Sequence, residues 1–123
     1  MHMKYLALIY NAPEAMPAAG SAAFGTMITD YRTVTDVFVR DGIMRGGDAL
    51  HPASTATTVR VRGGKTATMD GPFAETKEQL GGYYIFECAN LDAAIKYAAM
   101  IPGAAMGSVE VRPIVDYSQP ANG

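Results

Sequence analysis

The sequence predicts an α+β fold, with two helices on one face of an antiparallel sheet and an extra β-hairpin inserted midway. Three observations carry this prediction. Strand-like and helix-like segments follow one another as β-α-β-(β-hairpin)-β-α-β. Both helical segments space their apolar residues by three and four, as an amphipathic helix does. Two strand segments, residues 4–10 and 83–88, are apolar on both alternating sides, which suits strands covered on both faces.

The first strand is Lys4-Tyr5-Leu6-Ala7-Leu8-Ile9-Tyr10. Its two sets, Tyr5/Ala7/Ile9 and Leu6/Leu8/Tyr10, are both apolar or aromatic. Residues 11–20, with Pro13, Pro17 and Gly20, read as a loop. Ser21 is a helix N-cap, because its hydroxyl can accept from a free backbone N–H of the first turn. Phe24, Met27, Ile28, Tyr31, Val34 and Phe38 then form an apolar stripe, and Gly42 supplies the C′ stop. The β-branched run Thr33, Val34, Thr35 and Val37 weakens helix propensity slightly.

Residues 43–50 read as a strand interrupted by Gly46-Gly47, which predicts a bulge or a close approach by another group. Two alternating β-rich runs, 57–62 and 65–69, flank Gly63-Gly64 and predict a tight hairpin. After the strand at 83–88, Asn90 caps a helix with Leu91, Ala94, Ile95, Ala98 and Ile101 on one side, and Pro102-Gly103 ends it. Residues 108–114 form the last strand. Pro113 cannot donate to a ladder, so this strand lies at an edge or stops there. The polar tail from Ser118 is expected to be frayed.

Stripped of its hairpin, this order is the ferredoxin-like one. Two helices cover only one sheet face, yet the strands at 4–10 and 83–88 ask for cover on both. The cheapest cover is a second copy of the same sheet, so a homodimer with sheets face to face is expected. A ligand pocket then fits between the sheets or where the loops of the dimer meet.

The totals narrow the function classes. The chain has 123 residues, which fits one domain with a real core. With 49% hydrophobic and 18% charged residues it reads as globular. A net charge of −2 offers no general attraction for nucleic acid or anionic membrane, so neither is an expected partner. No apolar run approaches the ~20 residues of a membrane span. The single cysteine, Cys88, excludes an intrachain disulfide framework and suits a reducing cytoplasm, which is the expected location. The opening shows no leader pattern. Met1-His2-Met3 reads as a cloning remnant.

Chemistry concentrates in one stretch, Asp70-Gly71-Pro72-Phe73-Ala74-Glu75-Thr76-Lys77-Glu78-Gln79-Leu80-Gly81-Gly82. One reading is structural: Asp70 caps a turn, Gly71 and Pro72 shape it, and Phe73 pins the loop to the core. The other is functional: two carboxylates beside an ammonium make a proton-transfer site, with Glu75 and Glu78 sharing a face if the turn is helical. Tyr10, Tyr31, Tyr83 and Tyr84 are core aromatics or, for Tyr31, a hydrogen-bond donor to a ligand. Asp48 and His51 flank Leu50 beyond the double glycine; a loop histidine before proline reads as exposed. No metal-ligand spacing, phosphate loop or nucleophile–base set is visible, so neither a metal nor a cofactor is expected. Arg60, Arg62 and Lys65 form a solvated hairpin face.

Asp70-Gly71-Pro72-Phe73, followed by Ala74-Glu75-Thr76-Lys77-Glu78 and a glycine pair, resembles the DGPF branch of the YCII-related proteins. The likeness also takes in the strand at 4–10, residues 57–62 and the closing 107–113 segment. It implies a ferredoxin-like subunit in a dimeric α/β barrel with a cleft in each subunit, and no single activity. Shorter members of that family are thought to use a His–Asp pair, and some relatives look like small-molecule lyases. The corresponding positions here hold Tyr31 and Ile101, so that chemistry does not carry over. Two functional expectations stand together. One is a small-molecule-binding dimer, with Asp70, Glu75 and Lys77 as a cofactor-free lyase or isomerase set and Tyr10, Tyr31, Asp48, Phe73 and Glu78 around the ligand. The other is a non-catalytic ligand-sensing or protein-interaction module, linked to transcription or signalling as relatives often are.

Overall fold

A computed structural model describes residues 2–118. The expected tail lies largely outside the described residues. Six strands, β1 (Met3–Asn11), β2 (Met44–Ala49), β3 (Thr57–Arg62), β4 (Lys65–Asp70), β5 (Gln79–Cys88) and β6 (Ser108–Pro113), form two sheets. The larger has the order β2-β5-β1-β6, antiparallel throughout, and β3 pairs with β4. With helices α1 (Ala22–Arg40) and α2 (Leu91–Ala98), this is the expected ferredoxin-like α+β arrangement. The two strands that read as apolar on both sides, β1 and β5, are the central pair. β6, which carries Pro113, is an edge.

The termini of α1 follow from local chemistry. The Ser21 hydroxyl oxygen accepts from Phe24 N at 3.1 Å. At the other end Gly42 adopts φ 71°, and Ile43 N donates to Phe38 O while Gly42 N donates to Val39 O. That is the Schellman closure, and Phe38 and Ile43 pack together in the core beside it. Phe38 is fully buried and meets Tyr84, Phe86 and Tyr97 edge-on at centroid distances of 5.2, 4.9 and 5.8 Å. Truncating such a ring to alanine costs about 3–5 kcal/mol.

The core unites Tyr5, Ala7 and Ile9 of β1, Tyr84, Phe86 and Cys88 of β5, and the inner faces of α1 and α2. The alternate residues of the same strands, Leu6, Leu8, Tyr10, Tyr83 and Ile85, are only half-buried, because no described element lies over them. Within one chain, the sheet is covered on one face.

The double glycine does what its composition predicts. The register of β2 against β5 shifts between Met44 and Gly46. A methyl group at Gly47 would stand 2.9 Å from Tyr84 Cδ1 and 3.0 Å from Tyr83 O. Arg45, at the bulge, turns its guanidinium to Glu87 at 3.0 Å. Gly63 and Gly64 take φ of 57° and 75°, the two left-handed residues of a hairpin turn.

Several expectations are corrected. α2 buries Ala94 and Ala98, with Tyr97 against the core, but leaves Leu91 and Ile95 exposed. The expected Ala94 and Ala98 stay inside, but the buried face extends toward Ala93 and Tyr97 rather than toward Leu91 and Ile95, which brings small side chains against the sheet. Pro102 does not close this helix, which ends at Ala98. It opens a further one, α3 (Pro102–Met106), at the first-turn position where a missing N–H costs nothing. The stretch 71–78 contains no helical turn, so Glu75 and Glu78 share no helix face. Phe73 does not pin its loop to the core; it is 75% exposed.

Candidate functional site

Strand directions gather one set of candidates at a single end of the large sheet. β1 finishes there at Tyr10-Asn11, β5 and β6 begin there, and β2 ends there. Tyr10 stands opposite Leu80 on one side and Ser108 on the other. The Ser108 hydroxyl donates to Glu78 Oε1 at 2.8 Å, which ties the end of the 71–78 segment to β6. On the uncovered face of β2, Asp48 Oδ2 accepts from the Tyr83 hydroxyl at 2.8 Å. That bond holds the phenol proton, and the neighbouring negative charge raises the Tyr83 pKa further.

Tyr31 reaches the same end from the helix side. Its hydroxyl oxygen accepts the Gly103 N–H at 3.2 Å. Burial raises its pKa, so the phenol keeps its proton, while the Gly103 bond opposes this in part. Tyr31 also lines a groove of about 340 Å³ along α1 with Ile28, Arg32, Thr35 and Asp36.

The remaining candidates do not join this cluster. Asp70 closes β4 opposite Thr57, at the root of the hairpin. Phe73, Glu75 and Lys77 are exposed on the loop that leads to Glu78. The Gly71 N–H donates to Ala56 O, and the Thr58 hydroxyl donates to Gly71 O at 2.8 Å. Gly71 has φ 92°. Gly71 thus bends the chain as it leaves β4 and stays tied to the segment that opens β3. His51 is exposed, as are Arg60, Arg62 and Lys65. Among the described residues no group of three or more His, Cys, Asp or Glu side chains is placed to hold a metal. No described helix is long and apolar enough to cross a membrane.

Asn11 escaped the sequence reading. It is 9% exposed, and its Oδ1 is buried without a hydrogen-bond partner among the described residues. The signal was present in the alternation: Tyr5, Ala7 and Ile9 point into the core, and the next position in that series is 11. Ser108 was also missed, since a serine opening a strand carries no pattern of its own.

The fold is that of a small ferredoxin-like α+β protein, with one sheet face uncovered by any described element and polar groups collected at one sheet end. Sequence comparisons identify the family. A model of the YCII-related domain matches residues 3–118. An uncharacterized protein of Rhizobium meliloti (strain 1021) is 38% identical over 117 residues, covering 94% of each chain. The chain belongs to the YCII-related family.

Proposed function

We propose that the chain works as a homodimeric small-molecule-binding protein, with the bare sheet faces packed together and the ligand held at the sheet end that carries Tyr10, Tyr31 and Glu78. The observation behind this is the uncovered face itself. Leu6, Leu8, Tyr10, Tyr83 and Ile85 lie side by side on the two central strands, where a monomer has nothing to place over them. The same face carries Lys4 and Arg112 with Asp48, Glu87 and Glu110 around that apolar centre. A surface of both signs around an apolar middle is complementary to its own copy under a two-fold axis. Two sheets stacked about 10 Å apart bury both.

Catalysis is a further step within this reading. A cofactor-free lyase or isomerase using Asp70 or Glu75 as base and Lys77 as electrostatic partner needs these groups drawn out of water. In the single chain Glu75 and Lys77 are exposed, so that version depends on the second copy closing over the 71–77 loop. The exposed Phe73 and its open loop favour a second reading, a non-catalytic ligand-sensing or protein-interaction module.

Native mass spectrometry of the purified protein tests the proposal. The expected result is a dimer carrying a discrete additional mass. A bare monomer overturns it. If a substrate is identified and Asp70→Asn and Glu75→Gln both keep full turnover, the proton-transfer version falls while the binding reading stands.

A further inference from the structure

The hairpin β3–β4 is left uncovered by its own chain. Thr58 apart, every residue from Thr57 to Asp70 is exposed. A two-stranded hairpin is marginal alone in water, so one this bare gains from a surface to lie on. Its register puts Thr58, Arg60, Arg62, Lys65, Ala67 and Met69 on one face. Three of these are cations and none is an acid. Arg62 stands directly opposite Lys65, a like-charge pairing that destabilises the ladder. Among the described residues, no carboxylate lies within ion-pair distance of Arg60, Arg62 or Lys65. The counter-charge is present elsewhere in the chain. With Asp70, the hairpin carries three cations and one carboxylate, a net +2, so of the chain's −2 the remainder holds −4. Part of that negative charge lies on the bare sheet face, at the end from which the hairpin is inserted between β2 and β5. One row across the sheet there reads Glu110, Leu8, Tyr83, Asp48. The next row toward the sheet end holds Ser108 and Tyr10, with Glu78 bound to Ser108. The cations Lys4 and Arg112 of this face stand in rows farther back.

We propose that the hairpin is an arm that crosses to a second copy of the chain and sets Arg60, Arg62 and Lys65 against the partner's Asp48, Glu78 and Glu110. This deepens the dimer reading above and rests on it, since the arm of one subunit then closes the ligand end of the other. The arm does not serve its own chain. At its root the Gly71 N–H donates to Ala56 O and the Thr58 hydroxyl donates to Gly71 O, and the hairpin held there keeps its cations exposed. Its reach is sufficient. Strands of six residues extend about 20 Å, whereas stacked sheets lie about 10 Å apart. A basic ribbon also suits nucleic acid, but the negative remainder of the chain repels a polyanion and attracts the ribbon. In the dimer each misfit offsets the other. The partner's carboxylates relieve the Arg62–Lys65 repulsion, and the arm's cations relieve the crowding of acids at the partner's sheet end.

A charge swap in the full chain tests the arm. Two double variants, Arg60→Glu with Arg62→Glu and Asp48→Lys with Glu110→Lys, are purified separately, and sedimentation equilibrium gives the dimer dissociation constant of each. Each alone is expected to dimerise at least about tenfold more weakly than the parent, because every arm then meets like charge. Mixed in equal amounts they should recover a dimer close to the parent in affinity, because both arms of the mixed dimer meet opposite charge. Only an arm that crosses between copies gives that recovery. The parent dimer should also weaken as salt is raised. Circular dichroism checks that each variant keeps the parent fold. If losing the Asp48–Tyr83 bond unfolds the second variant, Glu110→Lys alone takes its place. A folded arm variant that dimerises as tightly as the parent overturns the arm and leaves the bare-face dimer standing. So does a mixture of folded variants that stays as weak as its components. A parent dimer that disappears on nuclease treatment assigns the ribbon to nucleic acid and overturns the arm too. A parent that is monomeric at every concentration sinks the dimer reading and the arm together.

Discussion

The Tyr31 hydroxyl accepts the Gly103 backbone N–H at 3.2 Å and so joins the middle of α1 to the start of α3, 72 residues away in sequence. Gly103 is buried, so its N–H has no water to turn to. Replacing Tyr31 with Phe keeps the ring and removes the acceptor. The unmet donor should cost about 1–3 kcal/mol. Urea unfolding at neutral pH measures this, and the Gly103 amide should exchange faster than in the parent. An unchanged midpoint would mean that the α3 turn moves to satisfy Gly103 elsewhere.

Gly47 gives a second prediction. A methyl there meets the backbone oxygen of Tyr83 at 3.0 Å and the ring of Tyr84 at 2.9 Å. The backbone contact cannot swing away, and Tyr84 is held by a 2.8 Å bond between its hydroxyl and Thr35 Oγ1. Gly47→Ala should lose about 1–3 kcal/mol by overpacking. Gly25→Ala is the control, since a methyl at Gly25 meets nothing within 4 Å and the site lies in the first turns of α1. That change should be neutral or stabilising by up to about 1 kcal/mol. Thermal melts of the two variants decide the matter side by side.

The contrast between these two glycines shows which features the sequence made legible. Signals that live in neighbouring residues came through: the Ser21 and Asn90 caps, the Gly63-Gly64 turn, the glycine-pair bulge and the edge strand stopped by Pro113. The two-sided apolar strands were expected to be covered on both faces; they form the central pair of the sheet, with one face covered by the helices. What failed depended on distant partners. Leu91 and Ile95 continue an apolar spacing, yet the sheet beneath α2 takes Ala94 and Ala98 because small side chains let helix and sheet approach. Pro102 carries the same local meaning whether it ends one helix or begins another. The site was half legible. Tyr10, Tyr31 and Glu78 come to one sheet end, whereas Glu75 and Lys77 stay out on the loop because nothing in residues 71–77 is apolar enough, apart from exposed Phe73, to draw it inward.

The dimer proposal yields a third prediction. Leu8 sits at the middle of β1 on the bare face, opposite Tyr83 and Glu110. A charge there should be tolerated by a monomer, since Leu8 is only half-buried. In a face-to-face dimer two copies of it would be desolvated near the two-fold axis, at a cost of several kcal/mol. Leu8→Asp should therefore shift the protein from dimer to monomer in sedimentation velocity while its circular dichroism keeps the parent shape. A Leu8→Asp variant that still sediments as the parent would remove the bare face as the interface.

The buried acids of the core give a fourth prediction, a loss of stability at alkaline pH. Burial raises the pKa of Cys88 above its ordinary 9.0 and that of Tyr84 above 10.0, while backbone hydrogen bonding at Asn90 and a bond to Thr35 oppose the two shifts in part. In both cases the folded chain holds its proton more tightly than the unfolded chain. Below the ordinary values both states are protonated and the full stability is present. Above them the unfolded chain binds fewer protons, so stability falls as pH rises and continues to fall until the folded-state pKa is passed. The melting temperature should be flat to about pH 8, then drop from about pH 9 with Cys88 and more steeply from about pH 10 as the tyrosines join. Cys88→Ala should remove the earlier part of the slope and Tyr84→Phe the later part, each from a lower starting stability. Identical slopes in parent and variants would assign the alkaline loss to other groups, with half-buried Tyr31, also raised by burial, the next to replace.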